Sequence, residues 1–312
     1  MQNNLKTVTK GVFDMQVGFI GLGIMGKPMA LNLLKAGFSL KAFDISEEAK
    51  NEVKKEGAQV VENASDVTEE SDIVITMLPN AAIINQVLNE QLLPYLHKET
   101  IVVDMSSVSP VESKHWAEQL AEKNVDFIDA PVSGGEPKAI DGTLSIMAGG
   151  SEFAFEKALP VLKAMGQDVV RVGEAGAGST TKLANQILVN VTMAAMSEAV
   201  LLASKAGVDI EKMYEAIRGG LAGSNVLDAK IPMILERNFE AGGRIDINLK
   251  DLTNVLATGK EIGAPLPLTS DVAEMFQSLT SHGKQTIDHC GVLQYYESLS
   301  NYQVPKGGKQ NV

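Results

Sequence analysis

Gly21-Leu22-Gly23-Ile24-Met25-Gly26 stands directly after the apolar run Val17–Ile20 and directly before an amphipathic stretch ending near Ala36. A GxGxxG in that setting leaves few folds open. The first glycine makes a tight turn, the second admits a pyrophosphate close to the backbone, and the third lets helix and strand pack closely. The positive end of the helix beginning at Met25 then faces the phosphates. The pattern predicts a Rossmann-type doubly wound, mostly parallel sheet. Gly21, Leu22, Gly23, Ile24, Met25 and Gly26 become candidate cofactor-binding residues.

The rest of the first half fits such a sheet. Short apolar runs at Val17–Gly21, Ser39–Phe43, Ile73–Met77, Ile101–Asp104, Phe127–Pro131, Leu144–Ala148 and Val169–Val172 read as strands. Amphipathic stretches at Met25–Ala36, Ile83–Asn89, Pro110–Lys123 and Ala154–Met165 read as crossover helices. After glycines 173, 176 and 178 the character changes to helix throughout. Ser179 is placed to cap a long helix running to about Ala206, with Gly207 as its stop. Such a helix would be roughly 40 Å long. Further helices are expected at Asp209–Arg218, Leu249–Ile262, Leu268–Ser281 and Ile287–Ser300. The expected organisation is an extension over residues 1–14, a dinucleotide-binding domain over 15–177, an all-α domain over 178–301, and a flexible tail over 302–312.

Composition narrows the partners. Of 312 residues, 27 are basic and 39 acidic, a formal net charge of −12 that repels nucleic-acid phosphate. One cysteine, Cys290, allows no intramolecular disulfide and suits a reducing cytoplasm. Residues 1–14 have no apolar stretch of signal-peptide kind and no Arg, so an upstream start codon or a frayed extension is the expectation. The apolar stretch Ile187–Ala206 is broken by Asn190, Ser197, Glu198 and Ser204, which favours a buried core helix over a membrane span. His97, His115, His282 and His289 show no metal-ligand spacing, and no metal is expected.

Asp44 ends the second strand roughly 20 residues after the glycines, where a carboxylate accepts from the adenosine ribose and repels a 2′-phosphate. Ile45, Ser46, Glu47 and Glu48 follow, with no Arg among them, so NAD is expected over NADP. Met77, Leu78 and Pro79, and Ser107 after the next strand, lie at strand carboxyl ends, where open α/β sheets bind ligands. Either loop taken alone is equally an ordinary connection.

Asp129-Ala130-Pro131-Val132-Ser133-Gly134-Gly135 runs from a strand into a polar turn whose N–H groups, with the Ser133 hydroxyl, suit a carboxylate. An ordinary tight turn is the competing reading. Lys182, Asn185 and Gln186 stand at i, i+3 and i+4, on one helix face. Lys250 is a second candidate. A lone helix lysine is usually solvated, and spacing by itself does not separate Lys182 or Lys250 from that class.

Together these stretches resemble the β-hydroxyacid dehydrogenase (3-hydroxyisobutyrate dehydrogenase-like) family, from Val17 to about Leu299. The cofactor motif is similar to Gly18–Gly26, the substrate motif to Asp129–Gly135, and the catalytic motif to Gly176–Asn185. The resemblance implies an NAD(P)-dependent oxidoreductase acting on a small hydroxy or semialdehyde acid, with Lys182 as general acid and base. It assigns the substrate to Ser133, Gly134, Gly135, Asn185 and Gln186, and places Lys250 near the nicotinamide. A free lysine has a pKa of about 10.4, which a neighbouring Lys250 charge or partial burial would lower. Two departures stand out: Ile45 where some members carry Arg after the acidic residue, which favours NAD, and the extension before Met15; Gln186 also stands where many 3-hydroxyisobutyrate dehydrogenases have Asn. A homodimer or homotetramer is expected. The non-enzymatic alternative, a dinucleotide-binding regulator, is disfavoured because Lys182 is retained.

Overall fold

Residues 15–308 are described by the computed structural model. The chain divides into two compact units, Met1–Lys182 and Leu183–Val312.

The first unit is a sheet with helices on both faces. Its strands are β1 (Gln16–Ile20), β2 (Ser39–Phe43), β3 (Gln59–Val60), β4 (Ile73–Thr76), β5 (Ile101–Asp104), β6 (Asp126–Asp129), β7 (Val132–Ser133), β8 (Leu144–Gly149) and β9 (Gly166–Gly173). Six of them run parallel in the order β3-β2-β1-β4-β5-β6. That order is the doubly wound one. At the β6 side the sheet turns mixed: β8 pairs antiparallel with β6 and β7, and parallel with β9. The central strands read as unbroken apolar runs because both faces are covered. Ile73, Ile75, Ile101 and Val103 pack into one core with Phe19, Met29 and Leu33. Val74 and Val102, one residue out of step, pack on the other side with Ile84, Leu88 and Trp116.

The crossover helices are α1 (Gly26–Lys35), α2 (Glu47–Lys55), α3 (Ala81–Gln86), α4 (Pro110–Ala121), α5 (Gly135–Asp141) and α6 (Glu152–Lys163). The predicted Ile83–Asn89 helix begins earlier and passes at Val87–Leu92 into a wider π turn. Two short strands, β3 and β7, escape a periodicity reading because two residues carry no period. Helix α2 also escapes it, being mostly charged with only Lys50 and Val53 buried.

Helix α7 (Ala177–Lys205) begins in the first unit and continues into the second, which adds α8 (Ile210–Ile217), α9 (Asn225–Glu236), α10 (Ile245–Ile262), α11 (Pro267–Ser281) and α12 (Leu293–Ser300). Met193, Met196 and Val200 of α7 share a core with Leu252, Phe276 and Leu293. Its polar residues are satisfied: Asn190 Nδ2 donates to Gln186 O at 2.9 Å, Ser197 Oγ to Met193 O, and Ser204 Oγ meets Tyr302 Oη.

Three expectations need correction. The unit boundary falls at Lys182/Leu183 rather than after residue 177, because the first turns of α7 pack with the sheet. Ser179 does not cap the helix but lies inside it, its hydroxyl 2.9 Å from that of Ser113. Residues 302–308 are not a flexible tail. Arg237 pairs with both oxygens of Glu297 and donates to Val304 O, Glu297 accepts from Val304 N, and Val304 is fully buried. Residues 1–14 and 309–312 lie outside the described residues.

Candidate active site

Each glycine of the first loop has its own steric reason. Gly21 has φ +99°, and a Cβ there would stand 2.2 Å from Met77 O. At Gly26 it would stand 1.8 Å from Gly21 O, so the start of α1 lies directly on the loop. At Gly23 a Cβ would meet nothing within 4 Å. Gly23 therefore keeps open a space that the protein itself does not fill, as close approach of a pyrophosphate requires. Helix α1 has no side-chain cap and no acidic residue in its first turn, which leaves its positive end for an anion. Asp44 accepts from Leu22 N at 2.5 Å and from Ser46 N at 2.7 Å, which holds its carboxylate against the loop. Leu22 is buried, Met25 half-buried and Ile24 exposed. These residues fit a dinucleotide.

At the ends of β4 and β5, Asp104 accepts from Thr76 Oγ1 at 2.8 Å and from Ser106 Oγ at 2.6 Å. Ser106 Oγ in turn accepts from Leu78 N at 2.9 Å. This buried network sets the course of the two loops that carry Met77, Leu78, Pro79 and Ser107. Thr76, Asp104 and Ser106 are not among the site residues expected from sequence, although Asp104 and Ser106 belong to the strand-end loop that carries Ser107. Their signal was three short polar side chains at adjacent strand ends.

The expected polar turn after Asp129 is more structured than a turn. Val132–Ser133 forms a short strand against β8, positive φ at Gly134 and Gly135 reverses the chain, and α5 opens at once. A side chain at Gly134 would collide with Lys138, its Cβ 2.6 Å from Lys138 Cδ.

Lys182 Nζ donates to Val132 O at 2.9 Å. The half-buried ammonium is thus held one residue from Ser133, a juxtaposition across fifty positions of sequence. Asp129 anchors the helix that carries this lysine. Its Oδ1 accepts from Gly176 N at 2.8 Å and its Oδ2 from Ser179 N at 2.6 Å, replacing the missing side-chain cap. Burial pushes the Asp129 carboxyl up to about 6, against the opposing pull of those N–H donors. Gly149 and Gly178 let the elements close around it. A Cβ at Gly149 would come 2.5 Å from Asp129 Oδ1, and one at Gly178 2.3 Å from Asp129 O. The stretch 129–135 therefore both starts α7 and holds its lysine.

In the second unit Gln186 Nε2 donates to Asp251 Oδ2 at 2.7 Å and lies 3.4 Å from Asn248 Oδ1, while Gln186 Oε1 accepts from Asn185 Nδ2 at 3.0 Å. Lys250 pairs with Asp251 at 3.3 Å. Its charge is met there by a carboxylate. Asn248 and Asp251 are buried. Their roles could not be read from sequence because Gln186 lies more than sixty positions away. Nearby, burial pushes His289 down to about 4, so it is neutral near pH 7. The amide that points Asn190 Nδ2 at Gln186 O points Asn190 Oδ1 at His289 Nδ1, 3.1 Å away, so the imidazole carries its proton on Nδ1.

Two families match in succession along the chain. Residues 16–173 match the NAD-binding domain of 6-phosphogluconate dehydrogenase, and residues 176–296 the NAD-binding region of NADP-dependent 3-hydroxyisobutyrate dehydrogenase. The chain is similar to 2-hydroxy-3-oxopropionate reductase of Escherichia coli, with 42% identity over 93% of this chain and 100% of that protein. It is also similar to 2-(hydroxymethyl)glutarate dehydrogenase of Eubacterium barkeri, with 41% identity over 94% of this chain and 99% of the other. A crystal structure described as 3-hydroxyisobutyrate dehydrogenase from Salmonella typhimurium superposes with a TM-score of 0.81 at 33% identity, covering 90% of this chain and 99% of that one.

Proposed function

The chain belongs to the 3-hydroxyisobutyrate dehydrogenase-like family of NAD(P)-binding oxidoreductases acting on CH–OH groups, and from that premise we propose that it reduces tartronate semialdehyde (2-hydroxy-3-oxopropionate) to glycerate, with Lys182 as general acid. The observation that carries this reading is the bond from Lys182 Nζ to Val132 O, which stations an ammonium beside Ser133, Gly134 and Gly135.

A bound nicotinamide supplies hydride chemistry at a carbonyl carbon. The chain's own residues do the rest. Ser133 and the N–H groups of Gly134 and Gly135 hold the substrate carboxylate. Lys182 gives a proton from Nζ to the carbonyl oxygen as that carbon is reduced, so the aldehyde becomes a primary alcohol and the amine is reprotonated from solvent. Asn185, one turn further along α7, orients the substrate through its hydroxyl group. Asp44 takes the adenosine ribose, and its carboxylate together with the exposed Ile45 disfavours a 2′-phosphate, so NADH is preferred to NADPH.

The Eubacterium barkeri relative is nearly as similar as the Escherichia coli one and is named for a different acid. The deciding experiment is therefore a panel. Cofactor turnover is followed with tartronate semialdehyde, glyoxylate, succinic semialdehyde, 3-hydroxyisobutyrate and 2-(hydroxymethyl)glutarate, each with the NAD and NADP pair. The highest kcat/KM should fall to tartronate semialdehyde with NADH. A higher value for another acid, or for NADPH, overturns that part of the assignment.

We also propose a homodimer or homotetramer, a reading supported by the exposed Leu188 and Leu202, about four turns apart on one face of α7. Light scattering should give a multiple of 33.3 kDa, and a monomer mass would remove this proposal.

A further inference from the structure

Gln186, which the resemblance assigns to the substrate, is tied into a network of its own. The residue is buried, and both ends of its amide are engaged, Nε2 by Asp251 and Asn248 and Oε1 by Asn185. We propose that Asp251 is a positioning residue for the reaction, acting through Gln186 to fix which end of the Asn185 amide faces the reacting groups. This rests on the reading that the Lys182 and Asn185 face of α7 meets the substrate.

Polarity passes from Asp251 to Asn185 along a chain of hydrogen bonds. A carboxylate only accepts, so Asp251 compels Gln186 to turn its Nε2 inward, and at 2.7 Å the bond is a charge-assisted one. Oε1 of Gln186 must then point the other way, where it accepts from Asn185 Nδ2. That donation in turn rotates Asn185 so that Oδ1 is its outward end. Asn185 therefore offers an acceptor to the face it shares with Lys182, suited to the O–H of a hydroxy acid or to an ammonium N–H. Without the carboxylate, the two amides could reverse together and offer a donor instead. The stem length matters as well: Asn at position 186 would be shorter by one carbon–carbon bond, about 1.5 Å, too short to keep a 2.7 Å contact with Asp251.

The test is a double-mutant cycle on whichever acid the wild-type protein turns over fastest. Asp251→Ala and Gln186→Asn should each lower kcat about 30-fold, within the scale of a small misplacement. The KM for NADH should change less than twofold, and the double variant should be no worse than either single one. Asp251→Asn still accepts from Gln186 and should recover most of the loss, to within about threefold of wild type. Gln186→Glu, which sets a carboxylate against Asp251, should be at least as impaired as Asp251→Ala. Multiplying effects in the double variant overturn the proposal, as does Asp251→Asn matching Asp251→Ala with a raised KM for NADH, which would assign Asp251 to Lys250 instead. If Asp251→Ala fails to fold, Gln186→Asn decides alone: kcat within twofold of wild type overturns the proposal. Poor turnover of tartronate semialdehyde alongside good turnover of another acid removes the preceding assignment but leaves this cycle readable.

Discussion

Around the glycine loop and the start of α7, carboxylates are held by main-chain N–H groups: Leu22 and Ser46 on Asp44, Gly176 and Ser179 on Asp129. In the helical unit side chains far apart in sequence take the larger share: Gln186 with Asp251, Asn190 with His289, Lys230 with Asp288, Arg237 with Glu297, although Asp288 also accepts from the main-chain N–H groups of Gly242, Gly243 and Cys290. Main-chain anchoring demands close approach and therefore glycine, which leaves a visible mark in the sequence. Side-chain anchoring uses ordinary helix residues and leaves none.

This difference explains what was legible. The parallel strands were readable because burial on both faces makes them continuous apolar runs. The cofactor loop was readable because glycine recurs at positions where a Cβ has no room or would crowd a ligand. Lys182 was readable only through a resemblance, since its partner Val132 is fifty positions away. Asp251, Asn248 and His289 were not readable as a network, because helix periodicity says which face is buried but not which buried polar groups meet. The order of residues 302–308 was hidden for the same reason: it depends on Arg237 and Glu297, each unremarkable in its own helix.

The contrast can be broken at several points, the largest effect first. Gly26→Ala places a methyl group 1.8 Å from Gly21 O, and it should cost more than about 4 kcal/mol or prevent folding. A chemical denaturation curve close to wild type would refute the steric account of that loop. In the helical unit, Lys230→Met leaves the fully buried Asp288 without its cation, although Gly242, Gly243 and Cys290 still donate to it. The expected cost is about 3 kcal/mol, the range for breaking one side of a buried pair. A loss below about 1 kcal/mol would mean that the main-chain donors suffice there too.

Acid titration should separate the two regions by sign. Asp129 has its folded pKa raised from 3.8 to about 6, so its contribution to stability is full below pH 3.8 and is lost as the pH rises to 6. His289 has its folded pKa lowered from 6.5 to about 4, so its contribution is full above pH 6.5 and is lost as the pH falls to 4. Each amounts to at most ~3 kcal/mol, and they oppose one another between pH 4 and 6. Relative to wild type, stability across that window should rise with pH in Asp129→Asn and fall with pH in His289→Gln. Parallel curves for all three proteins would contradict both assignments.

The smallest structural effect sharpens the comparison most. Gly23→Ala meets no atom within 4 Å and should leave stability within about 0.5 kcal/mol of wild type. NADH affinity should nonetheless fall by roughly tenfold or more, because the methyl group occupies the space kept for the pyrophosphate. Unchanged NADH binding would show that the open space at Gly23 is not where the dinucleotide lies.

The central claim is that Lys182, held against Val132, is the proton donor of a hydride-transfer enzyme. Its most direct test compares wild type and Lys182→Ala for turnover of tartronate semialdehyde with NADH, alongside NADH binding measured by fluorescence. The account predicts a loss in kcat of at least about 10²-fold, the scale of a missing general acid, with NADH affinity changed less than twofold. A variant that keeps kcat within about threefold of wild type, while binding NADH normally, would contradict it.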